Sequence, residues 1–102
     1  MKFRPQQSGL AFNLVASELD NGNCPTVEYL AGLKKRDKDV HETMLAKIKF
    51  RADNANIINI NISRPLKGDR YKGIYRLLAG GERLCYFFMP DKIIVLLNGY
   101  NK

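Results

Sequence analysis

Residues 73–97, GIYRLLAGGERLCYFFMPDKIIVLL, decide the fold. Gly73–Leu78, Leu84–Phe88 and Ile93–Leu97 are runs of β-branched, aromatic and aliphatic residues, each short enough to be a strand and each bounded by turn chemistry. Gly80-Gly81 and Pro90-Asp91 are the turns between them. Three strands so closely spaced form an antiparallel meander. The uninterrupted apolar run 93–97 predicts a central strand covered on both faces.

Working back from the meander, Lys67-Gly68-Asp69 makes a turn. Residues 53–61 lead into an alternation in which Ile58, Ile60 and Ile62 share one face and Asn59 and Asn61 the other. This is an extended approach to the sheet, and Arg64-Pro65 ends it because proline forces its predecessor out of helix. Further upstream the period changes from two to three and four. Cys24-Pro25-Thr26-Val27-Glu28 opens a helix, with Pro25 at the first position and Glu28 complementing the dipole. Val27, Leu30 and Leu33 form its apolar stripe. Lys34-Lys35-Arg36 reads as a solvated basic turn. Asp37 then caps a second helix over 38–52, with Met44, Leu45, Ile48 and Ala52 inside one arc of about 100°. His41 projects into that arc, and Lys38, Asp39, Lys47 and Arg51 are placed outside it. Asp20-Asn21-Gly22-Asn23 is a turn, and residues 10–17 are a strand with Phe12 and Leu14 on one face. The expected fold is therefore α+β: an N-terminal strand, a two-helix hairpin, then an antiparallel β-meander, with the helices on one sheet face.

A chain of 102 residues with 45% apolar content makes one domain, 1–102, with a single core. No apolar run reaches the ~20 residues of a membrane span. The start, Met-Lys-Phe-Arg-Pro, has no apolar segment behind it, so a cytoplasmic protein with reduced thiols is expected. Cys24, Cys85 and the single histidine, His41, have no metal-ligand spacing, so no metal and no cofactor are expected. Chemistry must then come from Arg, Lys, Tyr and carboxylates. The formal charge is +7, from 17 Lys and Arg against 10 Asp and Glu. Arg64, Lys67, Arg70, Lys72, Arg76 and Arg83 cluster in one stretch, opposed only by Asp69 and Glu82. Such a cluster fits a phosphate-rich partner or, equally, a solvated basic surface.

Leu66-Lys67-Gly68, Gly73-Ile74-Tyr75, Arg83-Leu84-Cys85-Tyr86-Phe87-Phe88 and the ending Leu96-Leu97-Asn98-Gly99-Tyr100-Asn101-Lys102 resemble the RelE/HigB toxin superfamily, in particular its phage-derived HigB-like branch. Pro25-Thr26-Val27-Glu28-Tyr29-Leu30 is similar to the start of that branch's first helix. The resemblance covers about residues 10–102. It implies a RelE-like fold and a ribosome-dependent mRNA endoribonuclease, the toxin of a type II toxin–antitoxin pair. Such an enzyme inhibits translation by cutting mRNA in the ribosomal A site without a metal, and its partner is a helix-turn-helix antitoxin.

By the same resemblance Arg83 is the phosphate-stabilising cation, Lys67 contacts the backbone, and Tyr100 stacks on a base or transfers a proton. Lys102 matches a terminal lysine of the family and Asn98 stands where relatives carry histidine. Arg64 and Arg76 join the site on charge. Leu78 occupies a slot that often holds arginine, and Arg76, two residues earlier, lies on the same strand face. In metal-free RNA cleavage the 2′-OH attacks the adjacent phosphate, and planar arginine forks suit the extra charge on the phosphoryl oxygens. The other readings of the same residues are a catalytically inactive RelE-like module that binds nucleic acid or protein, and a partner-only domain whose basic face meets an acidic protein. Tyr75, Tyr86 and Phe87 read as sheet packing rather than ligand contacts.

Overall fold

The computed structural model describes residues 2–56, 62–66, 68, 70 and 72–101. Its elements run β1 (Lys2–Ser8), β2 (Asn13–Glu18), α1 (Pro25–Arg36), α2 (Lys38–Asp53), β3 (Ser63–Pro65), β4 (Ile74–Ala79), β5 (Glu82–Met89) and β6 (Ile93–Asn101). The strands form one sheet in the order β1-β2-β6-β5-β4-β3. The expected α+β class, helical hairpin and β4–β5–β6 meander are all present. Two features differ. The sheet is mixed, because β2 lies parallel to β6, from Asn13 opposite Ile93 to Ala16 opposite Leu96. A further strand, β1, pairs antiparallel with β2 along the outer edge. Its sequence, KFRPQQS, lacks the apolar alternation by which strands are recognised, since an edge strand covered by little needs none.

Asp37 ends α1 and starts α2. Its backbone N–H donates to the carbonyl of Leu33, and its side chain accepts from the Val40 N–H. Lys34-Lys35-Arg36 is therefore the last turn of α1 rather than a loop, where positive charge complements the exposed carbonyls. Between the helices and the sheet lies a core of Leu14, Leu33, Met44, Ile48, Leu77, Leu84, Tyr86, Ile94 and Leu96, each at most 4% exposed. Burying each such side chain stabilises the fold by about 1.5–3 kcal/mol. Leu45, expected in the apolar arc, sits at its rim and is largely exposed.

Arg51, placed outside the arc from sequence, is buried. Seven residues from Met44, it comes round to within about 20° of it on the wheel. Its guanidinium lies over the rings of Phe12 and Phe88, 5.3 and 5.5 Å from their centroids. It also donates to the carbonyls of Asn54 and Ala55 at 2.7 and 3.0 Å, just beyond the end of α2. This buried arginine, with no carboxylate partner among the described residues, is thus held by aromatic faces and by the negative end of its own helix.

Beneath α1, the Tyr29 ring rests directly on Gly99 of β6. A Cβ at that position would lie 2.3 Å from the ring. Gly99→Ala is therefore expected to cost about 1–3 kcal/mol, read as a lowered urea midpoint, because the ring is wedged in the helix–sheet seam and cannot step aside. Gly81→Ala, where the nearest atom is the end of the Asn101 side chain at 3.4 Å, should shift the midpoint far less.

Candidate nucleic-acid interface

Both helices pack on one side of the sheet, so register assigns each strand residue to the covered or the open face. Arg64 lies opposite Arg76, and Arg76 opposite Cys85. Leu78 lies opposite Arg83, and Arg83 opposite Tyr100. These form two neighbouring rows across β3, β4, β5 and β6. Their neighbours Leu77, Leu84 and Gly99 face the helices, so both rows belong to the open face. The structure therefore brings together Arg64, Arg76, Arg83 and Tyr100, with Asn98 two residues before Tyr100. Strands β5 and β6 are longer than the sequence predicts, and this extension converts Arg83, Asn98 and Tyr100 from loop and tail residues into strand residues.

The three arginines have no carboxylate partner among the described residues. Each has a buried Nε with no hydrogen-bond partner. Arg83 is only 7% exposed. Its Nη1 folds back over the β4–β5 hairpin and donates to the carbonyls of Gly80 and Glu82, both at 3.2 Å. Gly80 takes φ of 58° to make that turn, which a glycine does without strain. Arg76 Nη1 donates to the Tyr100 hydroxyl at 3.2 Å, so the half-exposed ring and the cation hold one another. Burial pushes the Cys85 thiol up from its ordinary value, and the charge of Arg76 partly offsets the shift. Partly desolvated guanidinium groups without a carboxylate cost free energy, and an anion drawn in among them would offset that cost.

Behind this face lies a cluster that sequence reasoning missed. Glu82 of β5 is almost fully buried. It accepts hydrogen bonds from Tyr29 Oη at 2.7 Å, from Arg36 at 3.2 and 3.3 Å, and from the Asn101 amide. Arg36, burial acting against it, Asn101 and Tyr29 together bring the carboxyl down from 4.5 to about 2. Burial, then the bond to Glu82, raises the Tyr29 phenol well above its ordinary range. Glu82 and Asn101 are register partners on the covered face, immediately beside the open-face pair Arg83 and Tyr100. The signal available in the sequence is small: a lone carboxylate at the start of an otherwise apolar strand.

Lys67 and Lys102, both expected at the site, lie outside the described residues, as do Ile58 and Ile60 of the upstream alternation. Among the described residues, no group of three or more His, Cys, Asp and Glu is placed to hold a metal ion. No helix among them is long and apolar enough to cross a membrane. No family model matches the chain, and no curated protein matches it.

The depressed carboxyl has a direct consequence for acid stability. The contribution of Glu82 is fully present above its unfolded value of 4.5 and is lost as the pH falls through about 2. Because Arg36 is half exposed, the contribution is expected to be on the order of 2 kcal/mol rather than the full value of the shift. Glu82→Gln should therefore be less stable at neutral pH and should show a flatter loss of stability between pH 4.5 and 2, measured by urea denaturation across that window.

Proposed function

We propose that the protein binds RNA through its open sheet face and acts there as a metal-independent endoribonuclease on ribosome-bound mRNA, the toxin of a toxin–antitoxin pair. The observation that carries the RNA reading is the alignment of Arg64, Arg76, Arg83 and Tyr100 on one sheet face that, among the described residues, carries no helix and no carboxylate. The ribosome, the antitoxin and the cytoplasmic setting follow from the family resemblance of the meander and its ending.

In cleavage, the 2′-hydroxyl gives its proton to water as its oxygen bonds to the adjacent phosphorus, the bond to the 5′-oxygen breaks and that oxygen takes a proton from water, and a 2′,3′-cyclic phosphate remains. Negative charge grows on the phosphoryl oxygens as this occurs. Arg83 sits between the backbone carbonyls of its own hairpin, which fixes the guanidinium before substrate arrives, so little reorganisation is needed when the charge develops. Arg76 and Arg64 carry the flanking backbone. Tyr100 holds Arg76 with its hydroxyl and presents its ring to a base.

A second reading is favoured by one observation. Among the described residues, the open face of β3–β6 carries neither carboxylate nor imidazole, so no ordinary general base stands beside the arginines. A module that binds RNA without cutting it has the same arginine face and needs no such base.

Expression of the protein alone in bacteria separates the two. The enzyme reading expects arrested growth with truncated mRNA. Normal growth with intact mRNA, at confirmed soluble expression, leaves the binding module. If the enzyme reading holds, Arg83→Ala should slow cleavage roughly a hundredfold, as loss of one preorganised electrostatic donor does. It should weaken ribosome affinity much less, and Arg83→Lys should restore only part of the rate because the ammonium lacks the planar fork. Tyr100→Phe should be mild and Tyr100→Ala severe. Under either reading, RNA affinity should fall steeply as salt rises from 50 to 200 mM, with a slope set by the number of phosphates neutralised. A flat salt response would remove the phosphate partner altogether.

A further inference from the structure

A hollow of about 250 Å³ lies where β2 and β6 diverge against the first turn of α1, lined by Ser17, Pro25, Thr26, Leu96, Leu97 and Asn98. It exists because two neighbouring strands part company. Strands β2 and β6 pair only as far as Ala16 opposite Leu96. Beyond that point β6 bulges: Leu97 and Asn98 together face the single residue Cys85, between the pairs Tyr86–Leu96 and Leu84–Gly99. The first turn of α1 closes the far wall and is tied there by the Thr26 hydroxyl, which donates to the Leu97 carbonyl. Bulges of this kind re-aim side chains and break pairing beside functional sites.

The lining has a definite chemistry. Pro25, Leu96 and Leu97 supply apolar walls, and no charged side chain is among the lining residues. A phosphate is therefore a poor occupant, and a flat, largely apolar ring with polar edges is a good one. Asn98 carries the main polar information. Its Oδ1 already accepts the Gly99 N–H at 2.9 Å, which turns the amide NH₂ outward as a donor. Neither that NH₂ nor the Ser17 hydroxyl has a partner among the described residues. A fixed donor at the rim of an apolar slot recognises a carbonyl oxygen.

Position adds the second half of the argument. The bulge continues the row that runs through Arg64, Arg76 and Cys85. Asn98 is two strands from Arg76, about 10 Å at the spacing of a sheet. That is the reach from a backbone phosphate, across its sugar, to the far edge of the base.

We propose that this hollow is a base-recognition pocket, taking one base of an RNA strand whose backbone lies on Arg64, Arg76 and Arg83, and selecting a base that presents a carbonyl to Asn98, such as uracil, over adenine. The proposal rests on the RNA reading above and goes beyond it, because it assigns base preference to a bulge outside the arginine rows.

Fluorescence anisotropy with 5′-labelled single-stranded oligo(U) and oligo(A) of equal length tests it, using the full chain at low salt. Wild type should bind oligo(U) more tightly than oligo(A), and Asn98→Ala should reduce that ratio by roughly threefold to tenfold, the effect of one hydrogen bond. Asn98→Asp keeps the acceptor for the Gly99 N–H and replaces the outward donor by an acceptor. It should therefore lower oligo(U) affinity further than alanine does, and it decides the matter if the alanine variant fails to fold. A U-to-A ratio identical in wild type and in the folded Asn98 variants overturns the pocket and leaves the RNA reading standing. Wild type that binds neither oligonucleotide at low salt removes the RNA reading itself, and the pocket with it.

Discussion

One buried carboxylate holds the two sides of this molecule in register. Glu82 reaches across the helix–sheet seam to Tyr29 and Arg36 of α1 and along the sheet to Asn101 of β6. A carboxylate in that position would be costly if unpaired, and here its oxygens are satisfied by a phenol, a guanidinium and an amide. Tyr29 contributes twice, because the ring that donates to Glu82 also fills the space left by the absent side chain of Gly99. Helix position, the register between β5 and β6, and the directions of Arg83 and Tyr100 are thus consequences of one cluster. Strand residues alternate between faces, so fixing Glu82 and Asn101 on one side fixes their neighbours on the other.

Among the described residues, the open face built in this way concentrates positive charge where no acidic side chain relieves it. Elsewhere several described cations have partners: Arg4 with Glu18, Arg36 with Glu82, Lys49 with Asp53, and Arg51 with carbonyls and aromatic rings. The difference gives the net charge a location. A general basic character would keep the chain soluble wherever it was spread, whereas a row of guanidinium groups at strand spacing is a surface with a direction along it. Arginine is the suitable residue for such a row, since its fork grips phosphate oxygens while part of the side chain stays among backbone carbonyls.

Those parts of the structure that repeat a period were legible in the sequence. The meander was read from its β-branched and aromatic runs, and the helical hairpin from Pro25, Asp37 and the stripe ending at Leu33. Arg64, Arg76, Arg83 and Tyr100 stand out by charge and by the resemblance of the ending, and the sheet register places them on one face. What escaped was whatever depends on partners distant in the chain. Strand β1 carries no hydrophobic alternation because it lies at an edge. The parallel pairing of β2 with β6 leaves no mark on either segment. Glu82 looks like any surface acid until Tyr29, Arg36 and Asn101 are assembled around it. Arg51 was misplaced for a similar reason, its charge outweighing its position beside Met44 on the helical wheel.

The parallel alignment of β2 and β6 also sets an order of assembly. Asn13 finds its neighbour Ile93 only once both helices and strands β3 to β5 have been made. The helical hairpin has local contacts and can form early, but its apolar side has no sheet to cover until the meander arrives. Because the last strand is an inner one, a partly synthesised chain holds the pieces of the arginine face without the frame that aligns them. A chain still leaving the ribosome therefore carries Arg64, Arg76 and Arg83 before their common face is framed, and the face they share with Tyr100 is complete only once β6 has slotted between β2 and β5.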